Sequence, residues 1–211
     1  MKSKVNKITW LLFAFLAIGV SFYPAVYIFY AFKDGEFALR LSKSAELLAN
    51  TLWNIGFYGH VIFGGVALIT GWSQFSEKIR AQRLQLHRNL GKIYALSVLI
   101  SGLCSVYIAF YATGGWITML GFLSLGVIWL YTTGNAYFAI RNGNISLHQK
   151  MMVYSYAACF AAVTLRIWLP LLIMAFEGAF VPAYKIVAWL AWVPNMIVAY
   201  FLIKKKGIAL G

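Results

Sequence analysis

The sequence predicts an all-α fold, a polytopic membrane bundle of six transmembrane helices with both termini cytoplasmic, and three observations predict it. Of its 211 residues, 62% are hydrophobic and only 11% charged, where a soluble domain carries about a quarter. The apolar residues run unbroken over stretches long enough for a bilayer core of about 30 Å, which roughly 20 helical residues cross. The basic residues gather in alternate gaps between those stretches. An outer-membrane barrel would instead show short segments alternating at period two. Helices meet the demand that every backbone N–H and C=O in lipid be paired within its own segment.

The first run is uncharged from Ile8 to Phe32, too long for a signal-peptide core of about 7–15 residues and without a small-residue cleavage site, so it counts as helix one, near 8–32. The segment from Glu36 to Asn50 has Ala38, Leu41, Ala45 and Leu48 at helical spacing, which fits a short interfacial helix or a solvated loop. Helix two is expected near 52–75. The uncharged run from Ile93 to Ile140 is twice the length of one crossing, and Thr113-Gly114-Gly115 supplies the reversal; helices three and four are therefore expected near 89–112 and 116–140. Helix five is expected near 149–176 and helix six near 186–203. Pro24, Pro170 and Pro194 fall inside spans and are expected to kink them. The whole chain, 1–211, reads as one transmembrane domain.

Orientation follows from charge. One set of gaps holds Lys2, Lys4 and Lys7, the cluster from Lys78 to Lys92, Arg141 with Lys150, and Lys204 to Lys206; the other holds only Lys33, Arg40, Lys43 and Lys185. The first set is cytoplasmic by the positive-inside rule. A net charge of +13 thus reads as membrane orientation, and without a soluble domain to carry a basic face no nucleic-acid partner is expected. Cys104 and Cys159 lie in apolar runs and read as small buried hydrophobes.

Few polar residues remain to carry chemistry. Arg166 is the one charged residue deep in a span, and a charge at such depth is by default a functional-site hypothesis. Its partner would be backbone carbonyls, hydroxyls, water or a bound anion; the other reading has it snorkel along its stem to the outer headgroups. His60, about 12 Å into helix two at 1.5 Å per residue, falls in the same layer. The face through His60 carries Gly56, Gly64, Ala67 and Gly71, which permits close helix packing or leaves room for a ligand. His87 and His148 open helices three and five at the cytoplasmic side. There they could bracket a planar cofactor as two imidazole ligands or belong to the basic flank. No P-loop, HExxH or GxSxG pattern occurs, and without intramembrane carboxylates a hydrolytic metal site is not expected.

The order of several motifs resembles a family of small bacterial membrane proteins catalogued as domain of unknown function 2306. The motifs are His60 to Leu68, Leu86-His87-Arg88 with Gly91 and Tyr94, Trp129 to Thr133, His148 with Met152, Ser155-Tyr156-Ala157, Ala162 to Arg166, Leu169-Pro170 and Trp189 to Asn195. The resemblance covers roughly residues 55 to 203. It implies a bacterial inner-membrane location, and His60, His87, Arg88, His148 and Arg166 coincide with the family's recognisable polar positions. The opening His87-Arg88-Asn89-Leu90-Gly91 also looks like a segment of ferric-reductase-like, b-type cytochrome bundles, an analogy of architecture only.

Three function classes stay open on this reading. The leading expectation is a redox protein binding b-type haem or a quinone, with His87 and His148 as cofactor ligands holding the haem iron and His60, Arg166 and Arg88 lining a ligand pocket. The alternatives are a carrier for a small anionic or lipid-like ligand, with Arg166 as anion contact, and a non-catalytic membrane assembly subunit.

Overall fold

The computed structural model describes residues 7–22 and 42–205, and those residues are helical with no strand among them. The elements are α1 (Lys7–Ser21), α2 (Ala45–Ala49), α3 (Thr51–Ser73), α4 (Glu77–Gln82), α5 (Leu84–Ala109), α6 (Trp116–Arg141), α7 (Ile145–Cys159), α8 (Ala161–Ala175), α9 (Phe180–Leu190) and α10 (Val193–Lys205). Five spans are long and apolar enough to cross a membrane: α3, α5, α6, the pair α7–α8 and the pair α9–α10. The first expected span begins as α1; its continuation, 23–32, lies outside the described residues, as do 1–6 and 206–211.

Boundaries follow local capping. Asn50 accepts from the Trp53 N–H at 3.0 Å and starts α3; Asn144 accepts from Leu147 N–H at 2.9 Å and starts α7, each taking one of the free N–H groups at a helix N-terminus. Ser44 does the same for α2, so the described part of the expected interfacial helix is a single short turn. The reversal between α5 and α6 falls where expected: Gly114 and Gly115 have φ of 104° and 77°, a region costly for residues with a Cβ.

Three expectations are corrected. Helix three begins at Leu84, which places His87 and Arg88 within its first turns. Lys185, read as a loop residue, lies inside α9. Helix five, expected as one helix, is interrupted at Phe160, and the part that contains Pro170 runs on to Ala175. Near the interruption Thr164, in the first turn of α8, donates its hydroxyl proton to the Ala191 carbonyl, which ties this break to the one between α9 and α10. The α9–α10 break falls just ahead of Pro194, which has no N–H to offer.

The small-residue face of α3 is where it meets α5. A Cβ on Gly56 would lie 2.9 Å from the Tyr107 ring, and one on Gly71 would lie 2.4 Å from the Tyr156 ring and 2.8 Å from that of Tyr94. Without hydrophobic driving force between helices in lipid, such close backbone approach is a main source of association. The core is built around Tyr94, Leu68, Val98, Trp129, Tyr156 and Val163.

At its centre a chain of hydroxyls joins α5, α6 and α7. Thr133 Oγ1 donates to the Trp129 carbonyl at 2.7 Å, so Ser155 must donate to Thr133 across 2.6 Å. Tyr94 must then donate to Ser155, also across 2.6 Å. The Trp129 indole N–H points at the Tyr94 oxygen over a long 3.4 Å. Each hydroxyl has one proton, so the direction of the chain is determined throughout.

Candidate functional site

Besides the hydroxyl chain, three polar groupings stand out among the described residues. The first joins His60 on α3, Ser101 on α5 and Arg166 on α8. Ser101 is fully buried and its hydroxyl donates to the His60 carbonyl at 2.8 Å. That leaves the oxygen to accept from His60 Nδ1, 3.1 Å away, with the Ser101 carbonyl sharing the proton at 3.2 Å. His60 is therefore protonated on Nδ1, and Nε2 carries the lone pair. Arg166 Nη1 donates to the Ala162 carbonyl at 2.6 Å, one turn back along α8. The guanidinium is thus turned toward the start of α8 and away from Ala175, where the span ends. It is close enough for its charge to act on the His60 ring. Arg88 does not join them: it is exposed and lies about 20 Å along α5 from Ser101 at 1.5 Å per residue.

The second grouping is the expected histidine pair. His87 and His148 are electrostatic neighbours, with Arg80 and Arg88 beside His87. His148 Nδ1 donates to the Ala136 carbonyl of α6 at 2.9 Å, which leaves its Nε2 unprotonated in the neutral ring. His87 Nδ1 is buried and has no hydrogen-bond partner among the described residues. The α5 and α7 helices are held together two turns deeper by the Tyr94–Ser155 bond. No group of three or more His, Cys, Asp or Glu that could hold a metal ion occurs among the described residues.

The third was not read from the sequence. A cleft of about 360 Å³ lies between α7 and α10, with Phe75, just beyond α3, also in its lining; Val153, Tyr156, Phe160, Val198 and Leu202 form most of its wall, and among the described residues Asn195 is its one amide side chain. Val198 and Leu202 are themselves exposed and form its open side, which in a span faces lipid. Asn195 sits at the junction of both helix breaks. Its Nδ2 lies 3.3 Å from the Ala157 carbonyl, 3.1 Å from Thr164 Oγ1 and 3.0 Å from the Ala191 carbonyl, and Thr164 also donates to the Ala191 carbonyl. The available signal was Pro194-Asn195 inside an apolar run, a proline break followed by an amide.

Residues 57–203 match the family described as Predicted membrane protein (DUF2306). Comparison with curated proteins and with solved structures finds no match. The matched stretch contains all three groupings.

Proposed function

The chain belongs to the DUF2306 family of predicted membrane proteins, and from that premise we propose that it binds a lipid-like molecule within the bilayer, in the cleft between α7 and α10. The observation that carries this reading is the cleft: about 360 Å³, walled by apolar and aromatic side chains around one amide, which is the size and make-up of small-molecule sites generally. Its open side faces the medium from which such a ligand would enter. We place the termini in the cytoplasm of a bacterial inner membrane, with α1 as the start of a sixth crossing. In support, Lys78 to Arg88, Arg141, Lys150 and Lys204-Lys205 share one end of the bundle, with Lys43 and Lys185 at the other.

The test is labelling by a photoactivatable aryl-diazirine hydrocarbon in lipid nanodiscs. Adducts are expected on Val153, Phe160 or Leu202, and Val198→Trp, which fills the open side, is expected to remove them without lowering thermal stability. Labelling spread evenly over all lipid-facing helices would refute the reading.

A second reading, axial ligation of a b-type haem by His87 and His148, is favoured by the His148–Ala136 bond. A ring held by Nδ1–H to a backbone carbonyl presents Nε2 in the orientation that metal-ligating histidines use. Haem would supply one-electron chemistry there. A Soret band in the purified protein, lost in His148→Ala, tests it; a colourless protein after expression with added haemin would exclude it.

A further inference from the structure

We infer that the ligand of the α7–α10 cleft is a hydroxyl-bearing lipid, a long-chain or polycyclic alcohol, held by its O–H to Asn195 Oδ1; this rests on the cleft being a binding site. The argument begins with which way the amide faces. Two of the three atoms around Nδ2 are the carbonyl oxygens of Ala157 and Ala191, which accept only. Turning the amide over would set Oδ1 against both, so the nitrogen faces them. No described residue donates to Oδ1, and that oxygen is not sealed inside the protein. Asn195 is part of the cleft wall, and we assign this unpaired oxygen to the cleft.

Among the described residues, the remaining polar side chain of the wall offers no alternative donor. The Tyr156 hydroxyl donates to the Leu68 carbonyl at 3.0 Å, and the amide protons of Asn195 are engaged as above. The cleft therefore presents an acceptor and withholds donors. A ketone, ether or ester head would set its own acceptor against Oδ1 and leave both unpaired in an apolar surround, a penalised arrangement. A carboxylate or phosphate would do worse. An ammonium head would find no countercharge, because none of the five spans contains Asp or Glu. A neutral hydroxyl supplies the missing proton.

Depth points the same way. Asn195 lies about 15 Å along α10 from Lys205 at 1.5 Å per residue, near the middle of the span Phe180–Lys205. A phospholipid headgroup stays in the polar layer outside the hydrocarbon core and does not reach this position. A single hydroxyl, whose burial is compensated by one bond, can.

The test varies the ligand and leaves the protein unmodified, so a folding defect cannot enter. The protein in phosphatidylcholine nanodiscs is labelled with the aryl-diazirine hydrocarbon, and hexadecan-1-ol or its methyl ether is added at equal mole fractions in the bilayer. The alcohol is expected to displace cleft labelling at roughly tenfold lower mole fraction than the ether, the factor that one buried hydrogen bond supplies. Equal potency, or a stronger ether, overturns the hydroxyl inference and leaves the cleft reading standing. Absence of cleft labelling together with no displacement by either compound overturns both.

Discussion

Ser155→Ala probes the hydroxyl chain that joins three spans. Ser155 is fully buried and accepts from Tyr94 while donating to Thr133, both across 2.6 Å. The substitution leaves the Tyr94 donor, itself at 0% exposure, with no acceptor, and it removes the donor to Thr133. An unsatisfied buried group costs about 1–3 kcal/mol. Interhelical bonds in membrane bundles average about 0.6 kcal/mol and reach about 1.7, because the unfolded chain in lipid also finds partners. The short, dry geometry places this pair near the upper end, so a loss of about 2 kcal/mol is expected. Tyr94→Phe alone should cost less, since Ser155 keeps its bond to Thr133. The double variant should be more stable than the summed losses, by about 1–1.5 kcal/mol, because neither partner is then left unpaired. Reversible unfolding of the four proteins in mixed detergent and lipid measures the cycle. A coupling indistinguishable from zero would refute the directed chain.

Other consequences are as direct. Gly71→Ala places a methyl where two aromatic rings already stand and should cost about 1–3 kcal/mol by overpacking; unchanged thermal unfolding would mean that α3 sits farther from Tyr156 than described. Arg166→Leu removes the donor to Ala162 and the charge beside His60, so thermal stability should fall, with Lys a poor substitute for the guanidinium; equal stability of Leu, Lys and wild type would restore a lipid-facing arginine. Lys43, bonded to the Tyr111 carbonyl, is held below the ordinary lysine value of 10.5 by burial. The unfolded chain then binds the proton more tightly, so the stability of wild type relative to Lys43→Met should rise with pH up to about 10.5 and be lost again as pH falls through the lowered folded value. A difference flat in pH would contradict it. A cysteine placed at Gly178 should react with impermeant reagents from the periplasm only, and reaction from the cytoplasm would invert the proposed orientation.

The crossings were legible because a bilayer of set thickness imposes a length on apolar runs, and the turn at Gly114-Gly115 because its backbone excludes a Cβ. His60 and Arg166, and likewise His87 and His148, fall at similar rise along their spans, and each pair interacts electrostatically. Depth does not say which way a side chain turns, so it left Arg166 open between the bundle and the headgroups; Arg88 entered the pocket through the family resemblance and lies at the far end of its own helix from Ser101.

The sequence by itself determined that this protein is a helical membrane protein with several apolar spans, and which few residues are polar inside them. Only the tertiary structure decided which faces meet, that Ser101 orients His60, that the fifth expected span is interrupted at Phe160, and that Asn195 stands in the wall of an apolar cleft. The physical reason is that lipid and protein interior are equally apolar. A helix in water announces its buried face by the period of its hydrophobic residues, whereas these helices are apolar all round, and their neighbours are chosen by small-residue contacts and single hydrogen bonds between residues far apart in the chain.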